Sequence, residues 1–218
     1  MEYNQVGETV KPLLIVMTGP QGSGNHLFSK ILALNPQTQG WQDLLDKYWI
    51  GHSEEPFAEC WSQPSLLNKF NWNSSPVFVT NISCPYAYNG EYVNPNYQEF
   101  IECASQYCDV KVVLISRDQN ILELQQDRVR NKITLHRYLD NVNYLSTLNP
   151  VFASQEALYL YGIVYVNWLE QQIGLPNTTD TEAVNAILKV DANAKYITQT
   201  KNHWLDKIAQ EASNIIND

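Results

Sequence analysis

The stretch Leu13–Leu32, LLIVMTGPQGSGNHLFSKIL, decides the fold. It opens on an unbroken apolar run, Leu13–Met17, passes through Gly19, Gly22 and Gly24, and continues with Leu27, Ile31 and Leu34 at helical spacing before Pro36. An apolar run without polar alternation marks a strand covered on both faces, and the three-to-four spacing marks one face of a helix. Strand, glycine-rich turn and helix together form the signature of a phosphate-binding loop. The glycines let backbone N–H groups turn toward an anion, and the helix adds its positive end. Against the pattern G-x-x-x-x-G-K-[ST], Gly19 and Gly24 fit, but Asn25 and His26 stand where lysine and a hydroxyl residue belong. A tight turn that holds no ligand is the competing reading of the same residues.

The missing lysine narrows the chemistry. Phosphoryl transfer from ATP depends on that lysine and on Mg²⁺ held with the help of a carboxylate. Two further apolar runs, Val77–Thr80 and Val110–Ile115, read as the next strands. The first ends VFVTNIS, without an acid; the second ends VVLISRD, with Arg117 ahead of Asp118. An arginine there suits an anion better than a metal. Sulfuryl transfer fits these residues better, because a sulfuryl group carries less charge than a terminal phosphate and N–H donors with one or two cations suffice.

At this point the chain resembles the sulfotransferases that use 3′-phosphoadenosine 5′-phosphosulfate (PAPS). GSGNHLF, Gly22–Phe28, looks like their 5′-phosphosulfate loop, K/R-S-G-T-T followed by apolar residues. VVLISRDQNILELQQ resembles their 3′-phosphate element, in which an arginine ends a strand and a serine follows eight positions later. VFASQEALYLYG is similar to a strand bearing a Tyr-Glu pair, and YVNWLEQQIGLP to a helix closing on Leu-Gly-Leu-Pro. The resemblance implies that Gly22, Ser23, Gly24, Asn25 and His26 hold the 5′-phosphosulfate. It implies that Arg117 and Gln125 meet the 3′-phosphate, with Arg128 and Arg130 about one helical turn further on. PAPS, or its product PAP, is the implied cofactor, and no metal is required.

The departures matter equally. Gly22 replaces the family's lysine or arginine, Asn25 and His26 replace two threonines, and Gln125 replaces the serine. The family's general base is commonly a histidine just after the second strand, or a glutamate earlier. Asn81 occupies that histidine's place, and an amide cannot take a proton. The candidate replacements are His26, His52, Glu54 and Glu55, the last three in IGHSEEP. His26 is the best placed, since a helix N-terminus favours the neutral imidazole that a base requires. An ordinary surface histidine or carboxylate is the alternative for each.

Composition bounds the rest. At 218 residues and 44% hydrophobic, the chain suffices for one substantial core. Fourteen Lys and Arg against 23 Asp and Glu, a formal charge of -9, disfavour a sequence-independent nucleic-acid binder. Cys60, Cys84, Cys103 and Cys108 form no close metal pair and no CxxC, which predicts reduced thiols in a cytoplasmic protein. Asn73, Asn81 and Asn177 each begin an N-x-S/T triplet, read as accidental in the absence of a leader-like segment. No apolar run is long enough to span a bilayer, so no membrane partner is expected.

Tyr97–Cys108, Ile121–Leu145 and Gly162–Ile173 read as helices and Phe152–Leu158 as a further strand. NTTDTEAVNAIL, with Glu182 in its first turn, starts another helix. His136 and His203 read as surface, and Lys195 and Lys201 form a late basic cluster that the resemblance would place near the 3′-phosphate. Residues 37–75, with Trp41, Trp49, Trp61 and Trp72, are expected as a lid or cap in which tryptophans pack more than they stack on ligand.

The expectation is a single sulfotransferase-like domain over 1–218: a three-layer α/β fold of P-loop type with a central parallel sheet. It would transfer a sulfuryl group from PAPS to a hydroxyl or amine of a small-molecule or glycan acceptor. Two rivals stay open: a binding protein on this fold that no longer catalyses, and a nucleotide kinase or hydrolase with a degenerate loop.

Overall fold

The computed structural model describes residues 11–47 and 50–190, leaving the Arg130 side chain aside. Trp49, Lys195, Lys201 and His203 lie outside the described residues. In chain order the elements are β1 (Leu13–Pro20), α1 (Asn25–Leu32), β2 (Thr38–Gln39), α2 (Ala58–Ser62), β3 (Val77–Cys84), β4 (Tyr86–Tyr88), β5 (Glu91–Val93), α3 (Tyr97–Ala104), β6 (Asp109–Ser116), α4 (Gln119–Arg130), α5 (Leu135–Ser146), β7 (Val151–Ser154), α6 (Gln155–Tyr161), α7 (Ile163–Ile173) and α8 (Thr181–Val190).

Five strands form one parallel sheet in the order β2-β3-β1-β6-β7, and β4 with β5 makes a separate antiparallel hairpin. The apolar run that opens the chain is thus the central strand. Its register sets Gly19 beside Ser83 and Pro20 beside Cys84, so the glycine-rich turn leaves the sheet where β3 also ends. Because side chains alternate along a strand, β1 feeds two apolar layers. Ile15 and Met17, with Val79 and Val113, pack under α1, α7 and α8. Leu14 and Val16, with Phe78 and Leu114, pack against α3 and α5. This mixed α/β architecture, with helices on both faces of a central parallel sheet, is the one expected from the sequence.

Residues 37–47 and 50–75 are built into the edge of this structure. They supply the short strand β2, the helix α2 and four 3₁₀ turns. Trp41 joins the layer beneath α1, while Trp61 and Trp72 join the opposite layer. Trp61 stacks on Phe100 with ring centroids 3.7 Å apart. A buried tryptophan contributes some of the largest apolar area of any side chain, which anchors an otherwise irregular segment.

Two expected elements are corrected. The helix expected over Ile121–Leu145 is broken, because Asn131 adopts the left-handed conformation (φ 50°) that ends α4, and α5 begins only at Leu135. Asparagine tolerates that conformation at a helix C-terminus. The strand expected over Phe152–Leu158 stops at Ser154, whose hydroxyl accepts from the Ala157 N–H at 3.2 Å and caps α6. A serine that satisfies an orphan amide of the following helix converts a strand end into a helix start. At the next stop the reading and the structure coincide: Gly174 (φ 86°) closes α7, with the Leu175 N–H donating to the Glu170 carbonyl at 2.8 Å.

All four cysteines are free thiols. Burial pushes Cys60 and Cys84 up to about 11 and Cys108 up to about 12, so these three are not thiolate nucleophiles at neutral pH. Among the described residues no helix is long and apolar enough to cross a membrane.

Candidate functional site

The glycine-rich turn is held from several sides. Gly19 is needed for close approach: a Cβ there would lie 2.4 Å from Ser23 Oγ and 2.6 Å from the Ile115 carbonyl. Gly24 precedes α1 in the left-handed conformation (φ 101°) and supplies no side-chain cap. The first N–H groups of α1 have no intrahelical acceptor, and that start carries the positive end of the helix dipole.

The side chains expected to grip a ligand mostly turn inward. Ser23, fully buried, donates from Oγ to Asn25 Oδ1 at 3.1 Å. Asn25 in turn donates from Nδ2 to Ser83 Oγ at 2.8 Å, tying the start of α1 to the end of β3. With these two engaged inside the protein, the backbone amides are what the turn offers an anion.

Arg117 and Gln125 do come together at this turn. Arg117, only 7% exposed, donates through Nη1 to the Gly22 carbonyl at 2.8 Å and to Gln125 Oε1 at 2.5 Å. A guanidinium has five N–H donors in a fork, so bracing Gly22 is compatible with facing an anion. The carbonyl oxygen of Gln125 takes part here, where a donor to phosphate had been expected.

Sequence reasoning missed a second ring of support. Gln126, fully buried, donates from Nε2 to the Gln21 carbonyl at 2.8 Å and accepts from the Thr134 N–H at 2.8 Å. Thr134 Oγ1 donates to Gln21 Oε1 at 3.2 Å. Gln155, the first residue of α6, abuts the turn: a Cβ on Gly24 would lie 3.0 Å from its Nε2. That Nε2 is a buried donor without a hydrogen-bond partner. No spacing rule marks these glutamines in a chain rich in the residue; only the fold brings them to the loop.

Beside α1 lies a chain of three titratable side chains. His26 Nε2 and Glu55 Oε1 are 2.6 Å apart, and Glu55 Oε2 lies 2.9 Å from His52 Nδ1. The side chains of Glu55 and His52 are 6% and 10% exposed, and that of His26 is 35% exposed. Burial alone would raise the Glu55 carboxyl, but hydrogen bonds from both histidines, and their charge, hold it below its ordinary 4.5. Glu54 does not join them. It is exposed and pairs with Lys47 at 3.1 Å. His52 Nε2 is buried without a partner, and the ring of His52 packs on Tyr86. Trp41 backs His26 with ring centroids 5.5 Å apart.

Asn81, in the place of the family's usual base, is 1% exposed, and neither its amide nitrogen nor its oxygen has a partner. His136 is at the surface of α5, as read from the sequence. Among the described residues no group of three or more His, Cys, Asp or Glu side chains is arranged to hold a metal ion.

No protein-family model matches this chain, and no curated protein does. Among solved structures, it is similar to a sulfotransferase domain from the olefin synthase of Synechococcus PCC 7002, with a TM-score of 0.49 and 11% sequence identity, over 84% of this chain and 80% of that one.

Proposed function

We propose that this protein is a PAPS-dependent sulfotransferase whose general base is His26, oriented by Glu55. The observation that carries the reading is the His26–Glu55–His52 chain set at the uncapped start of α1. The glycine turn offers amides to a bound anion, and the same helix start presents a histidine with a buried carboxylate behind it.

The turn fits the phosphosulfate end of such a cofactor on two counts. Its helix start has no side-chain cap, and Gln155 leaves an unpartnered donor against Gly24. When bound, PAPS supplies a sulfuryl group to the acceptor oxygen: one S–O bond forms, and the S–O bond to the 5′-phosphate breaks to leave PAP. The amides of Gly22, Gly24, Asn25 and His26 hold the anion without a metal. Arg117, with Gln125 beside it, serves the 3′-phosphate.

His26 takes the acceptor proton. With its Nε2–H donating to Glu55 Oε1, the tautomer set by that bond leaves the lone pair on Nδ1 to accept the proton. Glu55 then stabilises the imidazolium, and His52 holds Glu55 in place through the second carboxylate oxygen. This is how a histidine from α1 replaces the base that Asn81 cannot be.

One observation favours a second reading, a protein that binds the nucleotide without turning it over. Position 22 is glycine, so no side-chain cation from the turn meets the charge that develops on the departing phosphate. Sulfate transfer to a panel of hydroxyl and amine acceptors tests the choice. Turnover that His26→Ala abolishes, with PAP binding retained, establishes the enzyme. PAP binding without turnover on any acceptor establishes the binding protein, and preference for Mg-ATP over PAP overturns both.

A further inference from the structure

The row of side chains that begins at His26 does not end at His52. The ring of His52 packs on Tyr86 with centroids 4.6 Å apart, and Tyr86 faces Tyr88 at 6.3 Å. Tyr86 and Tyr88 are alternate residues of β4 and so lie on one face of the hairpin. Across the ladder they sit opposite Val93 and Glu91, which share that face. Asn89 and Gly90 both have positive φ, 50° and 83°, the geometry of a tight two-residue hairpin turn that fixes this register. From the other side, Arg137 donates to the Tyr92 carbonyl at 3.1 Å and anchors the hairpin to α5.

The hairpin follows directly on β3 at the end of the sheet where the glycine turn leaves β1. Along the row, exposure rises from 5% at Tyr86 to 41% at Tyr88. The structure therefore presents an aromatic path whose inner end, Tyr86, packs on the His52 that bonds Glu55, and whose outer end is open to water.

We propose that Tyr88 and Glu91, backed by the buried ring of Tyr86, form the acceptor-binding platform, and that the acceptor is a neutral carbohydrate. This rests on the sulfotransferase reading for the use made of the bound sugar, but the binding can be tested by itself. Tyrosine gives a large, rigid, amphipathic contact at low ordering cost, which suits the C–H face of a sugar ring. An ionised carboxylate is an acceptor only, and Glu91 opposite Tyr88 is matched to sugar hydroxyls. Residues 86–93 contain no Lys or Arg, the Arg137 that reaches the hairpin donates to the Tyr92 carbonyl, and Glu91 puts a carboxylate on the face itself, which disfavours an anionic acceptor. A small phenol binds well where most of its surface is enclosed by apolar walls, and the outer half of this row is open and flanked by Asn89 and Glu91.

Saturation-transfer NMR with cellobiose, maltose and p-nitrophenol, on the wild type and on Tyr88→Ala, Tyr88→Phe and Glu91→Gln, tests the platform. PAP is titrated calorimetrically into the same four proteins. The disaccharides should bind the wild type and Tyr88→Phe, and bind roughly 3- to 10-fold more weakly once the ring is removed in Tyr88→Ala. Glu91→Gln should also weaken them, while PAP binding is retained throughout. No disaccharide signal with the wild type, a signal that Tyr88→Ala leaves unchanged, or binding of the phenol alone would overturn the proposal. Disaccharide binding through Tyr88 without PAP binding would keep the platform and discard the sulfotransferase reading. PAP binding without disaccharide binding would do the reverse.

Discussion

Replacing Glu55 by glutamine tests the centre of the site through two independent readouts. The carboxylate is nearly sealed from solvent and makes hydrogen bonds of 2.6 and 2.9 Å to the two imidazoles. A hydrogen bond to a charged group contributes roughly 1.5–3 kcal/mol. The His52 side is buried and warrants about 2 kcal/mol on that scale. The His26 side is about one-third exposed, so solvent screening reduces it to about 1 kcal/mol. Glutamine keeps the shape and can keep one of the two bonds, which leaves an expected loss of about 1–2 kcal/mol near neutral pH. The pH dependence has a defined sign. The folded carboxyl is held below 4.5, so its contribution is complete above that value and is lost as pH falls through the lower, folded value. Urea unfolding at about pH 7 and about pH 3 should therefore show a gap between wild type and Glu55→Gln that narrows in acid. In turnover, losing the group that orients the base should cost about 10²- to 10⁴-fold in kcat with PAP affinity nearly unchanged. Equal stability at both pH values, or a gap that widens in acid, would show that Glu55 is not the ionised anchor of the two histidines.

Arg117→Lys should weaken PAP binding by at least about tenfold in a calorimetric titration, because an ammonium cannot reach both Gly22 and Gln125 with a planar fork. Gly19→Ala should destabilise the protein more than Gly24→Ala. The first meets the Ile115 backbone at 2.6 Å, whereas the second meets the side chain of Gln155 at 3.0 Å and adds backbone strain of about 1 kcal/mol; paired thermal melts decide the order. Gln126→Ala removes both bonds from a fully buried amide and should cost about 2–3 kcal/mol in urea unfolding, with faster amide exchange at Thr134.

The strands of the sheet were legible because burial on both faces leaves an unmistakable mark. Leu13–Met17, Val77–Thr80 and Val110–Ile115 lie within β1, β3 and β6, of which β1 and β3 run a few residues further and β6 one residue at each end. Those extensions bring in polar residues, such as Asn81 and Ser83 in β3, at the carboxyl ends of strands, where tertiary position outweighs apolar pattern. The break between α4 and α5 was not legible for the opposite reason. Asn131 has no glycine or proline beside it to mark a stop. What ends α4 is a left-handed residue together with Gln126, which bonds the Thr134 amide from within the core. Long-range hydrogen bonds of this kind leave no periodic trace.

The site was legible in kind and illegible in register, and the reason is the helix type. Four candidates for the base were in view, and IGHSEEP offers two adjacent glutamates with nothing in the letters to separate them. On an α-helix, Glu55, three positions on from His52, would be turned about 60° short of a full revolution, so its carboxylate would lie off to one side of the imidazole. His52–Glu54 is instead a 3₁₀ turn, with the Glu55 N–H donating to the His52 carbonyl at 3.1 Å. With three residues per turn, positions i and i+3 eclipse, so Glu55 is stacked over His52 while Glu54 is swung into solvent toward Lys47. The same half-turn brings the other carboxylate oxygen to His26, a residue 29 positions earlier. Pro56, directly after Glu55, disfavours α-helical backbone at Glu55, which is extended here (φ -75°, ψ 148°). Replacing Pro56 by alanine would relax that constraint and let the turn continue as α-helix. The expected result is a weaker His52–Glu55 pair and a smaller effect of Glu55→Gln on stability, since the two substitutions act on one contact. Additive effects of the two in a double-mutant cycle would refute the claim that the proline sets which glutamate faces the loop.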